Sequence, residues 1–302
     1  METETLPLAP VLARAVRRLT EAGVASPRFD AEELAAFVLG VPRSRLLLAA
    51  GFDGTGAARF DELVAERARR VPLQHLTGVA GFRHLDLAVG PGVFVPRPET
   101  ELLAGWAIER ARETTAPVVV DLCSGSGAIA LAVANECPAA TVYGVEREEL
   151  ALAWARRNAE TRRSAGDRPV TLVHGDAGAP DVLAELDGTV DVVVTNPPYV
   201  PDGSTVSPEV ADHDPAAALW GGPDGLDVVR RLLVRAAALL RPGGVLGIEH
   251  ADAQGESLPA LVRRHPAFED VTDERDLAGR PRYTTARRRK LAAGETDLRN
   301  ES

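Results

Sequence analysis

Asn196-Pro197-Pro198-Tyr199 closes a strongly apolar run, Asp191-Val192-Val193-Val194. Proline fixes φ and has no amide proton, so this turn ends a β-ladder and offers no backbone donor at 197 or 198. It presents acceptors instead, the Asn196 side-chain oxygen and the Pro197 carbonyl, beside an aromatic ring. Upstream, Asp121-Leu122-Cys123-Ser124-Gly125-Ser126-Gly127 joins a strand-like run to a helix-like one. Its glycines permit close backbone approach to a ligand at a helix N-terminus. The dinucleotide fingerprint is not met, because Ala128-Ile129-Ala130 lacks the further glycine. Asp121 would repel a pyrophosphate and suit a ligand carrying a cationic amine or sulfonium. Glu146 ends the next strand-like run, where a carboxylate accepts both ribose hydroxyls of a nucleoside. Asp176, in His174-Gly175-Asp176, is a third acid suited to an adenine amino group. Each signal also has a plainer reading. The glycine loop can be a tight turn, Glu146 a helix N-terminal acid beside Glu148 and Glu149, and Asn-Pro-Pro-Tyr mere punctuation.

The elements that would hold these groups follow from periodicity. Val11, Leu12, Ala15, Val16 and Leu19 recur at helical spacing and Gly23 stops them. Asp30 and Glu33 have capping-box spacing ahead of Leu34, Ala35, Phe37 and Val38. Ser44 is placed to cap a short segment with Leu46 to Leu48, and a helix over 57–70 buries Phe60, Leu63 and Val64. Pattern and charge both change near residue 78. Leu85, Leu87 and Val89 alternate, Gly90-Pro91-Gly92 turns, and Val93-Phe94-Val95 returns, which predicts a β-hairpin. A helix through Leu102, Leu103, Trp106 and Ile108 follows.

From Pro117 strands and helices alternate. The predicted strands are 118–120, 141–145, 170–173, 190–194 and 245–248, the last after a Pro242-Gly243-Gly244 turn. The helices are 128–135, 147–160 and 226–240. This order specifies an α/β fold with a parallel sheet covered on both faces. Ligands then bind beyond the carboxyl ends of the strands. Residues 197–223 form too long a connection to be idle. Phe268–Val271 and Tyr283–Arg287 supply two terminal strands. The basic run Arg287-Arg288-Arg289-Lys290 reads as a solvated end.

With 302 residues, 45% hydrophobic and 26% charged, the chain has ample core for about two domains. Its net charge of −10 arises wholly after Gly78, since ten acidic and ten basic residues precede that point. Such a balance disfavours a protein that coats nucleic acid by neutralising phosphates. No apolar run spans a membrane. The N-terminal METETLPLAP lacks the positive charge of a secretory signal, and Cys123 and Cys137 form no disulfide framework or zinc site. The expected compartment is the cytoplasm.

Asp-x-x-x-Gly-x-Gly, Glu146 and Asn-Pro-Pro-Tyr, in this order, resemble S-adenosylmethionine-dependent amino methyltransferases. Gln74-His75-Leu76-Thr77-Gly78, Phe94-Val95-Pro96-Arg97-Pro98-Glu99-Thr100-Glu101 and Glu249-His250 narrow the resemblance to the peptide chain release factor glutamine N5-methyltransferase family, over residues 10–288. That likeness implies a Rossmann-like, mostly parallel seven-stranded sheet with a small all-helical N-terminal domain. The domains would be a helical substrate-recognition domain (1–78), a β-hairpin linker (79–98), a methyltransferase domain (99–290) and a polar tail (291–302).

It also implies a cytoplasmic monomer that uses S-adenosylmethionine and no metal, with class I release factors as substrate. The expected chemistry is methylation of the glutamine side-chain amide of their Gly-Gly-Gln loop, an event of translation termination. Stable nucleic-acid binding is not expected. Asp121, Cys123, Ser124, Gly125, Ser126, Gly127, Glu146, Asp176, Ala177 and Asn196 would hold the cofactor. Asn196, Pro197, Pro198 and Tyr199 would hold the glutamine, with Asn196, Pro197 and Tyr199 catalytic. Cys123 stands where the family usually has glycine, and Ala177 where it often has an aromatic. The alternatives are a glutamine methyltransferase of a ribosomal protein, an N6-adenine or N2-guanine methyltransferase of nucleic acid, and a non-enzymatic nucleoside-binding module.

Overall fold

The structure, a computed structural model, describes residues 5–290, and these fall into two compact units. The first takes residues up to 80, 89–91 and 206–214. It contains α1 (Leu8–Glu21), α2 (Pro27–Leu39), a 3-10 segment (Arg43–Leu48), α3 (Gly54–Ala68) and the single turn α4 (Leu73–Thr77). Val11, Ala15 and Leu19 meet Leu34, Ala35, Phe60, Leu63 and Val64 in one core. There Phe52 stacks on Phe60 with ring centroids 5.0 Å apart. Asp53 caps α3 by accepting from the Gly56 amide at 2.6 Å. The capping box expected at Asp30 and Glu33 does not form. Helix α2 starts earlier, with Pro27 in its first turn, and Asp30 lies inside it, buried, accepting from Arg67 Nε at 2.7 Å. A tertiary ion pair has taken the side chain that a local cap would have used.

A hairpin of β1 (Val79–Phe82) and β2 (Leu85–Ala88) follows, and the chain passes into the second unit within β1, at Gly81. Its turn is Arg83-His84, with Arg83 at φ +53. The predicted return strand at Val93–Val95 is absent. Val93 and Val95 are buried, but Pro91, Pro96 and Pro98 hem the segment and deny it the amides of a ladder.

Then come α5 (Thr100–Arg112), β3 (Val118–Leu122), α6 (Ala128–Glu136), β4 (Thr141–Glu146), α7 (Glu149–Ser164) and β5 (Thr171–His174). They are followed by β6 (Val190–Thr195), α8 (Pro208–His213), α9 (Asp227–Leu239), β7 (Leu240–Glu249), α10 (Ser257–Arg264), β8 (Phe268–Arg275) and β9 (Pro281–Arg288). The seven strands lie in the order β5-β4-β3-β6-β7-β9-β8, parallel from β5 to β7, with β9 antiparallel to both its neighbours. Every residue of β6 is buried, as a strand covered on both faces must be. Leu103, Ala107 and Ile108 of α5 join the core on one face, and Leu232 and Leu233 of α9 with Leu258 and Val262 of α10 join that on the other.

Two expectations for the last three strands need correction. Pro242-Gly243-Gly244 does not precede β7 as a turn. It lies within the strand, with Gly243 at φ +82 and a shift in register opposite Val190–Val192. Nor is the basic run wholly solvated, since Arg288 Nε donates to the Ala237 carbonyl at 3.0 Å. The polar tail expected at 291–302 lies outside the described residues. No helix among the described residues is long and apolar enough to cross a membrane.

The chain leaves the second unit after Thr205, runs through 206–214 in the first, and re-enters at Pro215. Glu209 of α8 secures this excursion. Its Oε1 accepts from Arg67 Nη2 at 3.0 Å and Arg70 Nε at 2.7 Å, and its Oε2 from Arg70 Nη2 at 2.6 Å. Burial opposes the charge, yet the two arginines hold the carboxyl down at about 2, against an ordinary 4.5. A depressed carboxyl stabilises the fold above its unfolded pKa and ceases to do so as pH falls through the folded value. Glu209→Gln is therefore expected to lower stability by about 2 kcal/mol at neutral pH. Urea midpoints measured from pH 7 downward should show this difference shrinking below about pH 4.5.

Candidate active site

Strand order reverses between β3 and β6, so the loops leaving their carboxyl ends diverge around a crevice. Leu122 pairs with Thr195, and the Thr195 hydroxyl, fully buried, donates to the Leu122 carbonyl at 2.5 Å. The loop after β3 is held from within. Ser124 N donates to the Val145 carbonyl at 2.9 Å and Gly127 N to the Ser124 carbonyl at 2.8 Å. Asp121 Oδ2 accepts from Ser124 Oγ at 2.7 Å and from the Ala130 amide of α6 at 3.2 Å. Asp121 Oδ1 is buried without a partner. Burial pushes this carboxyl up to about 7, against the two hydrogen bonds and with help from the Glu146 charge.

Glu146, at the end of β4, accepts from Gly125 N and Glu148 N, both at 2.8 Å. Each oxygen keeps a lone pair for a further donor. Asn158 of α7 donates to the Ser126 carbonyl at 3.0 Å. Cys123 takes φ +65, a left-handed conformation that a side chain rarely adopts. Burial, then the Glu146 charge, pushes its thiol up to about 12, so it is no nucleophile.

At the end of β6, Asn196 Nδ2 donates to Thr100 Oγ1 at 3.2 Å, and the Tyr199 hydroxyl donates to Glu249 Oε1 at 3.3 Å. Glu249 is 1% exposed. Burial pushes it up to about 7, although the Thr100 and Tyr199 hydroxyls and the Arg282 charge favour the ionised form. The long connection folds back on itself. Val200 N donates to the Leu219 carbonyl at 2.8 Å, Gly221 N to the Val200 carbonyl at 2.9 Å, and Gln254 Nε2 to the Tyr199 carbonyl at 3.0 Å. A Cβ on Gly221 would stand 2.7 Å from the Pro198 carbonyl oxygen, and one on Gly225 would stand 2.2 Å from that of Tyr199.

One cavity gathers Asp121, Cys123, Ser124, Gly125, Ser126, Glu146, Asp176, Ala177, Asn196, Pro198 and Tyr199 in its wall. Gly127 and Pro197 do not line it. Gly127 starts α6 at φ +83, and Pro197 is buried. The wall also includes Phe94, Pro96, Thr100, Arg147, the stretch 217–219 and Val228, Arg231 and Leu232 of α9. No spacing in the sequence marked α9 as part of the site. Its Arg231 pairs with Asp176, and this, with the Gly178 amide, holds the carboxyl low despite burial. The unpartnered Asp121 oxygen and the nearby Glu146 and Asp176 make a wall of acceptors. It fits a nucleoside that carries hydroxyl donors and a cationic centre.

Residues 10–78 match the family described as PrmC N-terminal domain, and residues 98–213 match the methyltransferase small domain. A release factor glutamine methyltransferase of Streptomyces coelicolor is 52% identical over 283 residues, covering 92% of this chain and 96% of that protein. The chain belongs to the release factor glutamine methyltransferase family. Identity of this order also extends to a 4-amino-L-phenylalanine/4-methylamino-L-phenylalanine methyltransferase of Streptomyces pristinaespiralis, 45% over 264 residues, covering 85% of this chain and 87% of that one. Among solved structures, a methyltransferase of Pyrococcus furiosus shares the fold at a TM-score of 0.51 and 19% identity, covering 75% of this chain and 99% of that one.

The glycines behind Tyr199 give this family member a direct structural test. Gly225 has φ +74 and no room for a side chain. Gly225→Ala is expected to cost at least about 2 kcal/mol, read as a drop in the urea midpoint, because the methyl must displace backbone rather than a side chain.

Proposed function

We propose that this chain methylates the N5 side-chain amide of the glutamine in the Gly-Gly-Gln loop of bacterial class I release factors. On this reading it is a cytoplasmic enzyme acting as a monomer, and the helical first unit recognises the protein substrate. The observation that carries the reading is Asn196 in the wall of an acid-lined cavity, with its side-chain nitrogen bonded to Thr100 and its oxygen left for a ligand donor. S-adenosylmethionine, when bound, supplies a methyl group on a positively charged sulfur. Asp121 attracts that positive charge, Glu146 accepts from the ribose hydroxyls, and Asp176 with Arg231 borders the adenine.

An amide nitrogen is a poor nucleophile because its lone pair is shared with the carbonyl. The Asn196 side-chain oxygen accepts an N–H bond of the glutamine and fixes the nitrogen's direction. The Tyr199 ring packs against the planar carboxamide. No general base is needed at the moment of attack, since the proton departs afterwards. Orientation of this kind contributes roughly 7–11 kcal/mol in well-aligned systems.

Asn196→Ala is expected to reduce transfer by at least about a hundredfold while cofactor affinity by calorimetry changes little. Cofactor affinity should rise by up to about tenfold from pH 6 to pH 8, because Asp121 titrates near 7 and its ionised form favours a cation. Asp121→Asn should flatten that profile. Mass spectrometry of a class I release factor incubated with the protein and S-adenosylmethionine tests the reading itself. One added methyl on the Gly-Gly-Gln glutamine is expected. An unmodified release factor alongside methylated 4-amino-L-phenylalanine would refute it.

A further inference from the structure

Thr100 and Glu249 sit in the runs quoted above without any assigned part in the chemistry, and both are buried, at 4% and 1% exposure. They come from different elements, the first turn of α5 and the last residue of β7. Because Thr195 pairs with Ile248, the residues that follow, Asn196 and Glu249, leave adjacent strand ends side by side. Thr100 joins them. Its oxygen accepts from Asn196 Nδ2 at 3.2 Å, and its hydroxyl lies beside the Glu249 carboxylate. A threonine hydroxyl has one proton to give, and once its oxygen serves Asn196 that proton is free for Glu249. Glu249 Oε2 is buried without a hydrogen-bond partner, an acceptor left open on the same side as Thr100, while Oε1 takes the Tyr199 hydroxyl at 3.3 Å.

A carboxamide is ambiguous, since turning it by half a revolution exchanges acceptor and donors at almost no steric cost. In the turned form Asn196 would present N–H bonds to the N–H bonds of the incoming glutamine and repel it. We propose that Thr100 and Glu249 are positioning residues that lock the Asn196 carboxamide with its oxygen toward the substrate amide. The Asn196 nitrogen already donates to the Thr100 oxygen, and a Thr100 proton turned toward the open Glu249 Oε2 keeps that oxygen an acceptor. The inference rests on the acceptor role given to Asn196 above.

Thr100→Val keeps the shape and removes the hydroxyl, and Thr100→Ser restores it. Thr100→Val is expected to lower kcat on release factor by about a hundredfold with cofactor affinity unchanged, and Thr100→Ser to recover most of that loss. In an Asn196→Ala background Thr100→Val should cause no further loss. Glu249→Met, which removes both acceptor oxygens at similar length, should also lower kcat and shift the Asn196 side-chain signals.

The bond itself is read without turnover from the 15N–1H signals of the Asn196 side chain, identified as the pair missing in Asn196→Ala. They should shift in Thr100→Val and keep their positions in Thr100→Ser. Equal kcat in wild type and Thr100→Val, a multiplicative loss when Thr100→Val is combined with Asn196→Ala, or side-chain signals indifferent to Thr100→Val would overturn the inference. A wild type that leaves release factor unmethylated sinks the acceptor assignment instead, and the side-chain signals still decide whether the lock exists.

Discussion

Leu122 and Thr195 face each other at the carboxyl ends of β3 and β6, joined by the parallel ladder and by the buried Thr195 hydroxyl on the Leu122 carbonyl. Whatever follows these residues must diverge at the same point. The glycine loop that follows Leu122 turns toward α6, and the proline pair that follows Thr195 refuses the ladder. A shift of one residue in this register would move Asn196 away from the loop that begins at Cys123, and the remaining side chains could not compensate. The two elements are precise for different reasons. One loop is tied by its own side chains and amides to Asp121 and Glu146. The other is braced from behind by Gln254 and by glycines that admit the Pro198 and Tyr199 carbonyls.

The site concentrates buried acids, and each is handled differently. Glu146 accepts from the amide of Gly125 in the glycine loop and from that of Glu148, two residues further along its own strand end. Asp176 leans on Arg231. Asp121 and Glu249 are only partly satisfied, and burial raises both to about 7. Incompletely paired carboxyls cost stability, and such costs gather where a ligand is to complete the pairing. On the proposed reading, one of them awaits a cation and the other sets the polarity of an amide.

Strand and helix order from Pro117 onward, the site loops and the acid at each strand end were legible because glycine, proline and buried-strand patterns act locally. What escaped detection depends on distant partners. Asp30 looked like a cap and is an ion-pair partner of Arg67, 37 residues away. Val93–Val95 looked like a strand and is held extended by prolines without a ladder. The segment 206–214 reads as part of a loop, and only the three-dimensional pairing of Glu209 with Arg67 and Arg70 assigns it to the helical unit. Gly221, Gly225 and Gln254 carry no pattern at all, since their importance lies in carbonyls that approach from elsewhere in the chain. Thr100 and Glu249 were visible as family motifs, but a motif does not say which atoms meet.

The central claim is that Asn196 offers an acceptor to a planar amide in the acid-lined cavity. A crystal structure of the protein with S-adenosylhomocysteine and a class I release factor tests it most directly. The account predicts the glutamine carboxamide nitrogen within hydrogen-bond reach of Asn196 Oδ1, against the Tyr199 ring, with Asn196 Nδ2 still on Thr100. A glutamine bound elsewhere, or one meeting the nitrogen end of Asn196, would contradict it.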